Sequence, residues 1–225
     1  MVVGAGKPRR TICGVLTMWF SRPHALAREK DAIFCPRQQV SPALFATCSR
    51  SWEELSNVVL VGHSLAGTTI SGVADQRPFR LRQLIFLDSL LLQNGECLLD
   101  HTPEDIATQR RQSAARSSVN TVPPFPATAF GLTDLDHINR VNRLATPQAF
   151  GSFTERMALN NPIGNGIPCT YVRCTQPPHL SAAASSRWAQ QQPDWQFVEM
   201  EACHDVMIEK PVELAELLVR LAGPG

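Results

Sequence analysis

The chain is predicted to be an α/β protein: a mostly parallel, doubly wound sheet of about six strands with helices on both faces. Two observations predict this. Short apolar runs of the buried-strand kind recur along the sequence, and stretches of helical pattern separate them. One run, Val58-Val59-Leu60-Val61, leads through a glycine-flanked serine directly into a small-residue helix, as a buried parallel strand and its crossover would.

The strands are expected at 11–16, 32–35, 58–61, 84–87, 169–174 and 195–200, each rich in β-branched, aromatic or other apolar residues. A helix at 24–30 would join the first two strands, and one at 64–74 would follow the third. Pro211 opens an amphipathic closing helix that runs to Leu221. The rhythm breaks between about 94 and 166. No strand is expected there, only helical pieces at 103–117, 134–144 and 146–159, punctuated by Val122-Pro123-Pro124-Phe125-Pro126. An insertion of this size after the fourth strand is read as a helical cap folded over the carboxyl ends of the strands, within a single domain spanning 1–225.

Composition narrows the function classes. A chain of 225 residues with 44% apolar and 18% charged residues can bury a full core. Its formal net charge of +1 provides no electrostatic footprint for nucleic acid or an anionic membrane. No apolar stretch approaches the ~20 residues needed to cross a bilayer. The expected partner is a small-molecule substrate, with a second copy of the chain the one macromolecular partner left open. Seven cysteines, at 13, 35, 48, 97, 169, 174 and 203, form no C-x-x-C pair and no metal-ligand spacing. They read as free buried thiols of a cytoplasmic protein, and neither a metal nor a cofactor is expected.

The N-terminus carries two weaker patterns. Gly4-Ala5-Gly6-Lys7 lacks the Ser or Thr that a phosphate loop needs after its lysine, and Pro8 removes a backbone donor. Arg9-Arg10 before an apolar run resembles an export signal, but the run is needed for the first strand, so a tail followed by a core strand is preferred.

The chemistry centres on Ser64. The segment Gly62-His63-Ser64-Leu65-Ala66-Gly67 reads as a nucleophile elbow of the G-x-S-x-G type, in which Gly62 and Gly67 keep Cβ atoms out of a crowded strand-to-helix turn and Ser64 points to solvent. A serine nucleophile needs a base, and in this topology the base lies after the last strand, where His204 stands. His24, His101, His137 and His179 fit worse, and His63 is expected to point away from its neighbour's site. The usual place for an orienting acid, the loop Thr175-Gln176-Pro177-Pro178-His179-Leu180, holds no carboxylate. Asp88, at the end of the strand 84–87, is the candidate acid. Its alternative is a structural role, accepting backbone N–H groups of neighbouring loops. Asp194, Glu199 and Glu201 are poorer candidates. One oxyanion donor is expected to be the backbone N–H of Leu65, and the second that of Leu16 or Thr17 after the first strand.

The stretches Val59 to Gly67, Leu84-Ile85-Phe86-Leu87-Asp88-Ser89 with Asn94-Gly95-Glu96, and Cys203-His204-Asp205-Val206-Met207 before Lys210-Pro211 resemble the α/β-hydrolase superfamily. The resemblance runs from about Ser56 to Leu221 and is to the cap-bearing branch that includes plant methyl esterases, hydroxynitrile lyases and bacterial esterase-like proteins. It implies that Ser64 is the nucleophile and His204 the base. The first hypothesis is then a serine esterase acting on carboxylic esters, and the apolar cap suggests small, hydrophobic or aromatic ones. Residues 1–55 depart from the family, since the usual His-Gly oxyanion loop is missing, which raises a second reading as a non-catalytic binding protein. A third, cyanohydrin cleavage, would need a pocket cation, and no lysine lies between Lys30 and Lys210.

Overall fold

Strand β2 (Val58–His63) is apolar on nearly every residue, and such a run is stable only where both of its faces are covered. The computed structural model describes residues 12–16 and 56–223, and in it β2 lies inside a five-stranded parallel sheet. The strand order is β1 (Ile12–Leu16), β2, β3 (Leu81–Leu87), β6 (Cys169–Cys174), β7 (Trp195–Met200). Every neighbouring pair is parallel. The expected strand at 32–35 and helix at 24–30 lie outside the described residues.

The period-two alternation of the strands divides the core in two. Val58, Leu60, Leu84, Phe86, Cys169 and Tyr171 turn to one face, and meet Ile70, Val73 and Ala74 of helix α1 (Ala66–Gln76). Ala189 and Trp188 of a further helix, Ala183–Gln190, pack on that same face. Val59, Val61, Ile85, Leu87, Val172 and Cys174 turn to the other, against Leu214, Leu217, Leu218 and Ala222 of the closing helix, Pro211–Ala222. Each such fully buried aliphatic or aromatic side chain contributes about 1.5–3 kcal/mol. The guanidinium of Arg82 donates to the Ala222 carbonyl at 2.7 Å, placing a cation where the closing helix ends.

Between β3 and β6 lie α2 (Glu104–Arg116), α3 (Leu135–Leu144) and a single turn α4 (Gly151–Thr154). Asp134 caps α3 by accepting from the backbone of Asp136 and His137. Two sequence expectations are corrected here. The stretch 94–166 does contain strand: β4 (Thr121–Val122) pairs antiparallel with β5 (Gln148–Ala149). The helix expected at 146–159 is also replaced by β5, the turn α4 and extended chain. Tertiary pairing overrides the periodic pattern, because Met157 N–H donates to Glu96, Gly95 N–H donates back to Met157, and Leu159 N–H donates to the Asn94 side chain. Met157, Leu159 and Ile163 are thereby laid on the sheet face that carries α1.

Three helices complete the chain: α5 (Ala183–Gln190) between β6 and β7, the turn α6 (Val206–Glu209), and α7 (Pro211–Ala222). The four described cysteines from 97 onward are free and buried. Among the described residues no helix is long and apolar enough to cross a membrane.

Candidate active site

The carboxyl ends of β2, β3, β6 and β7 open on one edge of the sheet, the edge where ligands bind in folds of this class. Ser64 follows β2, Asp88 follows β3, and His204 follows β7 by a short loop. Strand β1 ends at Leu16, in register with Gly62, and so brings the backbone of Leu16 beside the elbow.

Ser64 has φ +53°, a left-handed conformation that costs a non-glycine residue on the order of 1–3 kcal/mol. The turn is held by Ser64 N–H on the Leu87 carbonyl at 3.1 Å, while the Ser64 carbonyl accepts from Gly67 and Leu90. The spacing of the motif departs by one from G-x-S-x-G, because its fifth residue is Ala66 and the glycine stands at 67. Both glycines are nonetheless required. A Cβ on Gly62 would lie 2.8 Å from the Ala66 carbonyl oxygen, and one on Gly67 would lie 2.5 Å from that of Leu90. Ser64 is not solvent-directed, contrary to expectation; it is 9% exposed. Leu65 precedes α1, so its N–H belongs to the first turn, where no intrahelical carbonyl is within reach.

The structure brings Ser64, His204 and Asp88 into one hydrogen-bonded line. Ser64 Oγ lies 2.9 Å from His204 Nε2, and His204 Nδ1 lies 2.7 Å from Asp88 Oδ2. The ionised carboxylate accepts the Nδ1 proton, which leaves the Nε2 lone pair for the serine hydroxyl. Asp88 itself has φ +41°, and its other oxygen accepts the Cys174 N–H at 3.2 Å. Asp88 thus contacts the His204 ring and also ties down the end of β6. Asp194, Glu199 and Glu201 make no contact of this kind; Glu199 pairs with Arg173 on the sheet surface.

His204 is 1% exposed and held from several directions. Its N–H donates to the Phe130 carbonyl at 3.1 Å, and its carbonyl accepts from His63 Nε2 at 2.9 Å. His63 thus packs directly against the His204 ring, its centroid 4.5 Å away, rather than pointing away from the site. Residue 63 ends β2, and its side chain lies on the side of the sheet edge that the β7 loop covers. Phe130 and His179 also stack on the His204 ring, at 5.7 and 4.1 Å. Sequence reasoning missed His179. The only available signal was a polar ring in the loop where a carboxylate was sought.

Burial sets the electrostatics. It holds His204 well below the ordinary histidine range, with a smaller push in the same direction from a proton on His179, so the His204 imidazole is neutral at rest. Burial pushes the Asp88 carboxyl up to about 6, against the opposing hydrogen bond from Cys174, leaving it ionised at neutral pH. It drives His63 down to about 3, and its Nδ1 is without a hydrogen-bond partner among the described residues. No group of His, Cys, Asp and Glu suited to a metal ion occurs among the described residues.

A strained serine, a neutral imidazole and an ionised carboxylate in line can generate an alkoxide-like nucleophile and return a proton to a leaving group. The chain resembles known proteins in both sequence and fold. A model of the alpha/beta hydrolase family matches residues 14–217. The chain is 30% identical to a carbendazim hydrolyzing esterase of Nocardioides sp. (strain SG-4G), over 75% of this chain and 73% of that protein. Among solved structures it resembles an extracellular alpha/beta-hydrolase from a Paenibacillus species, described as sharing structural and functional homology with tobacco salicylic acid binding protein 2. The TM-score is 0.66 at 22% identity, covering 79% of this chain and 77% of that one. It also resembles the methylesterase MES16 from Arabidopsis, with a TM-score of 0.58 at 18% identity over 79% of this chain and 74% of that one. At these identities the structural likeness is one of fold.

Proposed function

Because the chain belongs to the alpha/beta hydrolase family, we propose that it is a serine esterase that cleaves carboxylic esters of small, hydrophobic or aromatic substrates. The observation that carries this reading is the continuous line Ser64–His204–Asp88 at 2.9 and 2.7 Å, with the serine held in a left-handed turn.

In this mechanism Ser64 Oγ attacks the ester carbonyl carbon as His204 Nε2 takes its proton. The negative charge on the carbonyl oxygen falls to the N–H of Leu65, with the backbone N–H of Leu16 as the second donor. His204, now an imidazolium steadied by Asp88, gives its proton to the leaving alcohol. A water then repeats the sequence in reverse, deprotonated by His204 as it attacks the acyl carbon, and Ser64 is released with the carboxylic acid.

The segment 94–166 acts as the cap over this edge in our reading. Its support is the contact of Phe130 with the base, by ring and by backbone. Phe125 meets Phe130 edge to face at 5.9 Å, extending an aromatic wall suited to apolar substrates. Cyanohydrin cleavage is disfavoured, since Lys210 Nζ donates to the Glu201 carbonyl at an exposed site.

Labelling with a fluorophosphonate probe tests the proposal. Wild-type protein is expected to be modified at Ser64 and Ser64→Ala to remain unlabelled though folded. A panel of p-nitrophenyl esters of graded acyl length, with carbendazim added because the Nocardioides relative is named for it, would define the substrate. A folded wild-type protein that neither labels nor hydrolyses any ester would leave the binding-protein reading in its place.

A further inference from the structure

His179 stands in the loop leaving β6, where no carboxylate is available. We propose that His179 is a positioning residue for His204: its ring, stacked on the His204 ring and sharing a water-sized cavity with Asp88, fixes the plane of the base and couples its own protonation to the Asp88–His204 pair. This rests on the Ser64–His204–Asp88 reading above.

The stacking is the closest ring contact that His204 makes among the described residues: 4.1 Å between centroids at 27°, against 4.5 Å for His63 and 5.7 Å for Phe130. An imidazole held by one hydrogen bond at each nitrogen can still tilt about the line joining them, and a ring on its face opposes that tilt. The loop that carries His179 is itself anchored. Thr175 and Gln176 donate their N–H groups to Met200 and Ala202, at 3.1 and 2.9 Å, the two carbonyls that lead into the His204 loop. The Pro177 ring fills the space at Gly131, where a Cβ would lie 2.7 Å from Pro177 Cδ and 2.9 Å from the Cys203 Cβ. A shift of His179 would therefore disturb the chain entering His204.

The coupling has a structural route. His179 and Asp88 line one cavity of ≈ 20 Å³, room for a single water, together with Arg173, Cys174, Pro178 and Ser186. The ionisable groups around His179 are Asp88 after β3, Arg173 and Cys174 on β6, and His204 after β7, with His63 beyond. Burial keeps His179 neutral near pH 7 by lowering its pKa, which Asp88 partly offsets. Once protonated, His179 places a cation beside His204, disfavouring a second proton there, and beside Asp88, favouring its ionised form. Both effects protect the working state of the pair against acid. Removing that charge then raises the pH at which the pair fails, to the extent that His179 is protonated there.

The test compares wild type with His179→Phe, which keeps a ring, and His179→Ala, which removes it, using p-nitrophenyl butyrate. His179→Ala is expected to lose about 10- to 100-fold in kcat with KM within about twofold, the pattern of a misplaced base. His179→Phe is expected to recover most of that rate but to move the acid limb of kcat/KM up by about half a pH unit. A purely packing role predicts that the Phe variant keeps the wild-type limb, and that result, or wild-type kcat in the Ala variant, would overturn the proposal. The His204 imidazole titration, followed by NMR in wild type and His179→Phe, reads the coupling without turnover. If wild type fails to label or hydrolyse, the esterase reading falls, whereas an unchanged His204 titration removes this inference alone.

Discussion

Asp88 and His204 are 116 positions apart in the chain, yet their side chains meet at 2.7 Å with both residues almost wholly excluded from solvent. The pairing requires β3, β6 and β7 to be neighbours, so it is a product of the sheet order rather than of either loop.

Replacing Asp88 by Asn should leave the backbone intact, because Asn tolerates the left-handed φ of +41°. It offers the base a neutral amide that cannot stabilise an imidazolium. Ester hydrolysis should fall by about 10³- to 10⁴-fold in kcat, with the circular dichroism spectrum unchanged. A loss below tenfold would mean that another group orients His204.

The pH profile follows from the same pair. The carboxyl of Asp88 is held up to about 6, while burial keeps His204 unprotonated to lower pH. As pH falls through about 6, Asp88 takes a proton and stops accepting from Nδ1. The rate constant kcat/KM should therefore be level above about pH 7 and decline on the acid side around pH 6, a value that belongs to the coupled pair rather than to one residue. Stopped assays on both sides of that value would check this, and a limb centred near the ordinary carboxylate range would contradict it.

The elbow glycines should resist the smallest substitution. Gly67→Ala drives a methyl group to 2.5 Å from the Leu90 oxygen and 2.7 Å from the Ser89 Cβ, and neither neighbour can retreat. Ser89 donates to the Gly62 carbonyl at 2.6 Å, and Leu90 N–H is bonded to Ser64. Overpacking of this kind costs about 1–3 kcal/mol, equivalent to a melting temperature lower by roughly 2–12 °C in a chain of this size. An unchanged melting temperature would show that the turn is looser than its contacts imply.

Asp205 should be a stability liability above neutral pH. Burial alone pushes its carboxyl up to about 7, so the folded state holds its proton more tightly than the unfolded chain does. A carboxyl raised in this sense adds stability below its unfolded pKa of about 4 and loses it as pH rises through about 7. Asp205→Asn should accordingly melt higher than wild type at about pH 8, by about 1–4 kcal/mol of stability, and nearly equal to it at about pH 4. Calorimetry at the two pH values decides, and an equal difference at both would reject the argument.

Much of this architecture was legible in the sequence, for reasons that particular residues make clear. Val58 to Val61 and Leu84 to Leu87 are apolar on consecutive positions, a pattern that only double-sided burial sustains, and both became central strands. Ser64 was marked by its glycines and His204 by its place after the last strand. The segment 146–159 misled because it reads as a helix locally, while the backbone of Met157 and Leu159 is claimed by Glu96 and Asn94 on the far side of the insertion. His63 and His179 were passed over for a related reason. What makes each matter is contact with His204, a long-range pairing that leaves no local periodicity to read.

Gly131 sits where three parts of this chain meet. Three segments far apart in the chain converge on the missing side chain at that position: its own, the Pro177 turn and the Cys203 turn that leads into His204. A methyl group there would act as a wedge between the 94–166 insertion, the Pro177 turn and the loop that carries His204. The fit of the insertion against the loop that carries His204 thus turns on an absence of atoms.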